Sequence, residues 1–403
     1  MLFWFLFATA QFLLFLFLST MLWSYVQLHD KYMPLLSSIK PEPVKDGVLI
    51  FIPAKDEEEG IGPCLDRLVG LKGLEYFKIV PIDDRSSDQT PQKMKEAAAR
   101  NPKLIAPLTI SSLPEGWLGK NHACWKGVQH GLQQMPDAQY LLFTDGDVKF
   151  HPDTVAESIT WMKQGNLDFM TLIEDSEFEG ILEPSYLLLF GIFLIFFAAR
   201  PWLLHKPGGK NFMGNGAYLL VRREAYEQTQ GHQALRLEVV EDMRMGLLMR
   251  SKEYKCGAAV GLNRIQRRWQ PGFLAIFKGL LKNAFAGFEY NVPMTIVGIL
   301  FFPFVFIGPW ICLATGYTTI GVSNLALIGL GFWLASRNSR LPPVPAFILS
   351  PFLSLVAAAN LATSAFKIIR EGGVSWRGTL YPLALLKENC LTVSKAFAGG
   401  NRK

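Results

Sequence analysis

Two carboxylates one residue apart close an apolar run in "LLFTDGDVKF", and a second pair, Glu241 and Asp242, opens the helical pattern "VVEDMRMGLLMR". At the end of a buried strand Asp145 and Asp147 can lean toward one hard cation, and a divalent ion with open positions can bridge them to a diphosphate. The same residues also read as a turn, because Asp-Gly is a favoured turn dipeptide. The stretch "PIDDRSSDQT" offers Asp83 or Asp84 as hydrogen-bond acceptors for a base or ribose, with Ser86, Ser87, Asp88 and Thr90 capping the helix that follows. Glu241 and Asp242 have two readings. One is a carboxylate that takes the proton of an attacking hydroxyl; the other is a pair of acids placed in the first turn of a helix. Lys120 in "GWLGKNHA" can reach a diphosphate and Trp117 can stack on a base or sugar, although both also suit packing and surface roles.

These residues need elements that bring them together. Short apolar runs alternate with helical patterns: "GVLIFIP" before "EEGIGPCLDRLVGL", "YFKIVPIDD" before "SDQTPQKMKEAAAR", "KLIAPLTI" before "KNHACWKGVQHGLQQM", and "AQYLLFTDGD" before "PDTVAESITWMKQ". Strands apolar throughout and joined by helices predict a doubly wound α/β domain with a parallel sheet covered on both faces. In such sheets ligands bind beyond the carboxyl ends of the strands. The acids collect there: Asp56 and Glu57 after the first strand, Asp83 and Asp84 after the second, Asp145 and Asp147 after the fourth. After the first strand stands "FIPAKDEEEG", with neither a P-loop nor GxGxxG, which disfavours Walker-type ATPases and Rossmann dehydrogenases. Phosphates neutralised by a metal on carboxylates suit a nucleotide-sugar better.

"IPAKDEE", "DDRSSDQT" and "TDGD" together resemble the pattern of glycosyltransferase family 2, of the GT-A fold, over about residues 48–270. "PEGWLGKNHA", "GNGAYLLVRREAY", "EVVEDMRMG" and "GLLKNAFAGFEY" further resemble a bacterial membrane-anchored branch of carotenoid- and hopanoid-associated glycosyltransferases. The resemblance implies that Pro53, Asp56, Glu57, Asp83 and Asp84 border the nucleoside and that Asp145 and Asp147 hold a metal-diphosphate. It makes Asp242 the general base, with Glu241 as a possible stand-in. The implied reaction is the inverting transfer of one sugar from a nucleotide-sugar, UDP-glucose by family frequency, to the hydroxyl of a lipid, with Mg²⁺ or Mn²⁺. "NRIQRRWQPGF" is similar to the QxxRW signature of chain-building members but is one residue short. Arg267, Arg268 and Trp269 there suit a diphosphate, an anionic headgroup or an interfacial anchor. A processive polysaccharide synthase and a non-catalytic scaffold are the alternatives.

Half of the 403 residues are hydrophobic while 18% are charged, which fits a mixed membrane and soluble architecture. Residues 1–27 hold an uncharged stretch long enough to cross a bilayer and read as a retained anchor, since no basic n-region precedes it. Residues 28–291 read as the catalytic domain, 292–366 as transmembrane or re-entrant helices and 367–403 as a basic tail. By the positive-inside rule tail and domain face the cytoplasm of an inner membrane. An even number of crossings should then separate them, yet three apolar segments are present, so one of them does not cross. Within the domain, Tyr186–Ala199 is apolar for about 14 residues, roughly 21 Å as a helix against a core near 30 Å. Arg200-Pro201 closes it. A crossing there would put Asp147 and Asp242 on opposite faces, so 184–204 is expected to lie at the interface beside the acceptor; a buried core helix is the alternative. Five scattered cysteines without CxxC spacing imply neither a disulfide framework nor a zinc site, and with a net charge of only +6 no nucleic-acid partner is expected.

Overall fold

The computed structural model describes residues 1–206 and 208–398. They divide into two compact units. An α/β unit is made of Lys31–Asp175, Pro201–Arg268 and the chain from Asn389, and a helical unit of Met1–Asp30, Ser176–Arg200 and Trp269–Glu388. The apolar segment up to Arg200 and the stretch Trp269–Glu388 thus group with the helical unit.

The α/β unit is built on one mixed sheet. Its strands are β1 (Gly47–Ala54), β2 (Phe77–Asp84), β3 (Leu108–Ile110), β4 (Ala138–Phe143), β5 (Lys149–Phe150), β6 (Phe169–Ser176), β7 (Leu219–Arg222) and β8 (Cys256–Arg267), in the order β3-β2-β1-β4-β7-β6-β8-β5. β1 runs parallel to β2 and β4, and β2 parallel to β3. β7 is antiparallel to β4 and β6, and β5 to β8. The predicted parallel half is present, with β3 confined to the end of its predicted run. The antiparallel half has no counterpart in the sequence reading. All eight residues of β1 are buried, and their alternation feeds two cores, Val48, Ile50 and Ile52 on one face and Leu49 and Phe51 on the other. Helices α2 (Glu58–Val69), α3 (Thr90–Arg100), α4 (Gly119–Gln134) and α5 (Thr154–Gly165) cover those faces where the sequence placed them. α4 approaches the sheet closely because it carries Gly127 and Gly131: a Cβ on Gly127 would lie 2.3 Å from Ile82 Cδ1.

The helical unit contains α1 (Leu2–Tyr32, to Asp30 in this unit) and α6 (Leu182–Ile192), which a π-helical turn extends to Ala199. Arg200, in the left-handed region at φ 47°, ends it. Four further helices follow: α8 (Phe273–Leu280), α9 (Val292–Phe306), α10 (Gly308–Ala314) and α11 (Thr318–Ser336), before the long α12 (Pro343–Glu371); α7 (Glu241–Ser251) belongs to the α/β unit. Among the described residues, Leu2–Tyr32, Leu182–Leu203, Thr318–Ser336 and Pro343–Glu371 are long and apolar enough to cross a membrane, as is the pair α9 and α10 despite a 49° bend between them. The bend falls between Pro303 and Pro309. Gln11 Nε2 donates to the Phe304 carbonyl at 2.8 Å, and Asn324 Nδ2 donates to Gln11 Oε1 at 3.0 Å, so a break in the helix is satisfied by side chains in an otherwise apolar setting.

Candidate active site

The carboxyl ends of β1, β2 and β4 assemble the first part of the site. Asp56 (φ 53°) and Arg85 (φ 59°) both take the left-handed conformation where the chain leaves β1 and β2. Strain of this kind is held only where surrounding contacts fix it. Here they do: Asp56 Oδ1 accepts from Ser87 N at 2.7 Å, and its own N–H donates to Ser86 Oγ at 3.1 Å. The Ser87 N–H holds the Asp56 carboxyl below its ordinary range. Glu57 N donates to Thr90 Oγ1 at 2.8 Å and Glu58 N to Asp88 Oδ2 at 3.1 Å. Ser86, Ser87 and Thr90 were expected to cap α3. They tie the two strand-end loops together instead, while Asp88 Oδ1 accepts from Thr90 N.

Asp83 Oδ1 accepts from Ser86 N at 3.0 Å. Asp84 is occupied: Arg85 Nε and Nη2 bind its two oxygens at 2.8 and 3.0 Å. Of the two, Asp83 is the one left with an oxygen outside a bidentate ion pair. Pro53 lies within β1, paired with Ile82 across the sheet. Trp117 stacks on Trp125 with centroids 4.9 Å apart, and His122 packs edge-on to it at 5.5 Å.

The second part of the site is a charged cluster. Lys120, in the first turn of α4, places Nζ 2.7 Å from Asp145 Oδ1 and 2.8 Å from Glu241 Oε1. Arg267, at the end of β8, places Nη1 2.6 Å from Asp145 Oδ2 and Nη2 3.4 Å from Glu174 Oε1. Burial would raise the Asp145 pKa, but Lys120 and Arg267 outweigh it and hold the carboxyl below its ordinary range. Asp147 is different. Burial pushes it up to about 6, Arg267 Nη1 stands 3.9 Å away, and its buried Oδ1 has no hydrogen-bond partner. Arg268 and Trp269 are the residues at which the chain passes from this unit to the helical one.

Asp242 sits in the first turn of α7. Its Oδ2 accepts from Gly216 N at 3.0 Å and its Oδ1 from Met243 N at 2.7 Å. Burial, and then the Glu241 charge, raise it to about 6. Gly216 marks where the groups converge: a Cβ there would lie 3.1 Å from Asp145 Oδ2, 3.2 Å from Lys120 Nζ and 3.6 Å from Asp242 Oδ2. Two residues of this cluster were not singled out from the sequence. Glu174 of β6 pairs with Arg267 and accepts from Asn215 Nδ2, and Asn215 also donates to the Leu172 carbonyl at 3.0 Å. The signal for Glu174 was available: "DFMTLIED" ends an apolar run in acids, as β4 does.

Among the described residues no group of three or more His, Cys, Asp or Glu could hold a metal ion. A magnesium- or manganese-type site uses one or two carboxylates and completes its shell with phosphate oxygens and water. The unpartnered Asp147 Oδ1 fits such a role. Both Asp145 oxygens are already engaged by cations.

Residues 49–229 match the family model described as glycosyl transferase family 2. A curated relative, 4,4'-diaponeurosporenoate glycosyltransferase of Staphylococcus aureus, is 22% identical over 345 residues, covering 83% of this chain and 88% of its own. Among solved structures, a mannosyltransferase from Pyrobaculum calidifontis in complex with GDP-Man and Mn2+ superposes with a TM-score of 0.54 at 15% identity, covering 91% of this chain and 98% of its own. At that identity the likeness is one of fold.

Proposed function

We propose that this chain, whose residues 49–229 match the family 2 glycosyltransferase model, transfers a single sugar from a nucleotide-sugar, with inversion, to an apolar lipid at the membrane. The observation that carries the reading is the convergence of Asp145, Lys120 and Asp242 around Gly216. A base there and a cationic diphosphate cradle would stand on either side of one reacting carbon.

In this reading Asp242 takes the proton of the acceptor hydroxyl while that oxygen attacks the anomeric carbon. The bond to the diphosphate breaks, and its electrons pass to the leaving phosphate oxygen. Lys120 and Arg267 face that developing charge, already oriented by Asp145, Glu241 and Glu174. Asp147 would hold a divalent ion, with Asp145 beside it, and the ion would supply Lewis-acid stabilisation of the leaving diphosphate. Asp83 accepts from the nucleoside, while Asp56 and Glu57 shape the loop beside it. Arg268 and Trp269 are proposed to bind a diphosphate or anionic headgroup or to anchor at the membrane interface. UDP-glucose is the proposed donor, and the α/β unit faces the cytoplasm.

The relative from Staphylococcus aureus is named for an apolar "-oate". Its name supports an isoprenoid-like acceptor and raises a second reading, a carboxylate acceptor, which carries no proton to remove. One assay separates these. Membranes holding the intact chain or Asp242→Asn are incubated with labelled UDP-sugars and Mg²⁺ or Mn²⁺, and label is counted in the organic-solvent extract. Label with the intact chain alone supports lipid glycosylation at a hydroxyl. Equal label from both moves the acceptor to a carboxylate and removes the base from Asp242. Label confined to insoluble material would replace the proposal with polymer synthesis.

A further inference from the structure

We infer that α12, although as long and apolar as a membrane span, does not cross the bilayer. It lies within one leaflet and seats its exposed face in that leaflet's acyl chains. The helix has 29 residues, about 43 Å at 1.5 Å per residue, so a crossing would carry its two ends to opposite sides.

Packing within the helical unit places both ends at one level. The turn Thr315–Tyr317 joins α10 to α11, and a Cβ on Gly321 would lie 2.7 Å from the Pro309 carbonyl, so the two form an antiparallel hairpin. The start of α9 and the end of α11 therefore share the open end of that hairpin. α12 begins against the end of α11: Phe347 meets Phe332 edge-on at 6.1 Å and lies 3.8 Å from the Cβ position of Gly329. Further along, from Asn360 onward, it packs on the first half of α9 and on the segment before it. Asn360 Nδ2 donates to the Phe277 carbonyl at 2.7 Å, Ser364 Oγ accepts from Phe285 N at 3.1 Å, and Leu361 Cδ2 lies 2.9 Å from the Cβ position of Gly298.

Connectivity agrees with this placement. Arg268 ends one segment of the α/β unit and Asn389 begins its last. The returning tail is bonded there, Leu391 N donating to Glu238 and Arg236 Nη2 to Asn389 Oδ1 at 3.4 Å. A folded unit lies on one side of a bilayer, so the chain between these residues crosses an even number of times. Of the three candidate spans between them, the α9–α10 pair, α11 and α12, one therefore does not cross, and the packing above singles out α12. Charge agrees as well: Arg337 and Arg340 precede α12 and Arg370 and Arg377 end or follow it, whereas the turn between α10 and α11 has no charge. With α12 in the plane, all four arginines fall on one side.

The face left outward is lipid-like. Val344, Ile348, Phe352 and Leu355 are each at least 50% exposed along one stripe, while Ser350, Ser354, Asn360 and Ser364 are buried on the opposite face. The polar stripe is spent on the protein and the apolar one meets hydrocarbon.

Thiol mapping in sealed vesicles tests the placement, and the five native cysteines, all buried, keep the background low. Ser339→Cys and Ser375→Cys flank α12; Thr319→Cys sits beyond the hairpin turn. A membrane-impermeant maleimide should modify the two flanking thiols from the same side, and Thr319→Cys from the other. Asn338→Cys and Arg377→Cys replace any variant that fails to accumulate. Flanking thiols that label from opposite sides overturn the inference, and so does a flanking thiol reached only after the bilayer is dissolved. Neither result bears on the sugar-transfer reading.

Discussion

At the scale of single residues the site separates carboxylates by their company. Asp145 is held ionised by two cations, whereas the half-buried Asp147 and Asp242, desolvated without such close cations, rise to about 6. For Asp242 the sign follows directly: it serves as a base when ionised, so kcat/KM should hold above about pH 6 and fall roughly tenfold per unit below it. That acid limb should vanish in Asp242→Asn, whose rate is expected about 10²–10⁴-fold lower with donor binding retained. A profile unchanged by the substitution would remove the base from this position. Asp147→Asn tests the cation site: titrating Mn²⁺ against donor binding should show weakened metal dependence with little change in metal-free affinity. The sequence made Asp145, Asp147, Lys120 and Asp242 legible, because acids at strand ends and a lysine opening a helix stand out by type and position. It did not reveal that Arg85 would occupy Asp84, or that Lys120 would bridge Asp145 to Glu241. Those pairings depend on side-chain reach between elements distant in the chain.

At the scale of elements the parallel strands and their covering helices were readable because each is apolar throughout and followed by an amphipathic run. The antiparallel half was not. β7 has four residues, and β6 and β8 follow no simple period-two alternation, so Glu174 and Arg267 had no predicted strand to stand on. α4 has the most direct mechanical link to chemistry, since Gly127 lets it press on Ile82 while its first turn carries Lys120. Gly127→Ala adds a methyl where there is no room. Overpacking of this kind costs about 1–3 kcal/mol, so thermal melting should show a lower midpoint, and titration a weaker donor affinity as Lys120 moves. A lower midpoint with unchanged affinity would uncouple the helix seat from the site.

At the scale of the whole molecule the α/β unit is drawn from three separate lengths of chain, and the helical unit takes up what lies between them. The last length is short but bonded: Cys390 lies beside the buried Arg244, and Leu391 donates to Glu238. Ending the chain after Glu388 would leave Glu238 without that donor. Such a truncation should reach the membrane yet show increased protease sensitivity around Glu238–Arg244 and little transfer, whereas a fully active truncation would show the tail to be dispensable. The interleaving also sets an order of events during synthesis. β4 leaves the ribosome with one edge open, and its partner β7 follows only after the apolar excursion of α6; the tail that bonds Glu238 follows every membrane helix. The nascent sheet therefore stays half paired until the chain has passed α6. Synthesis of the α6 excursion thus sets when β4 gains its antiparallel partner.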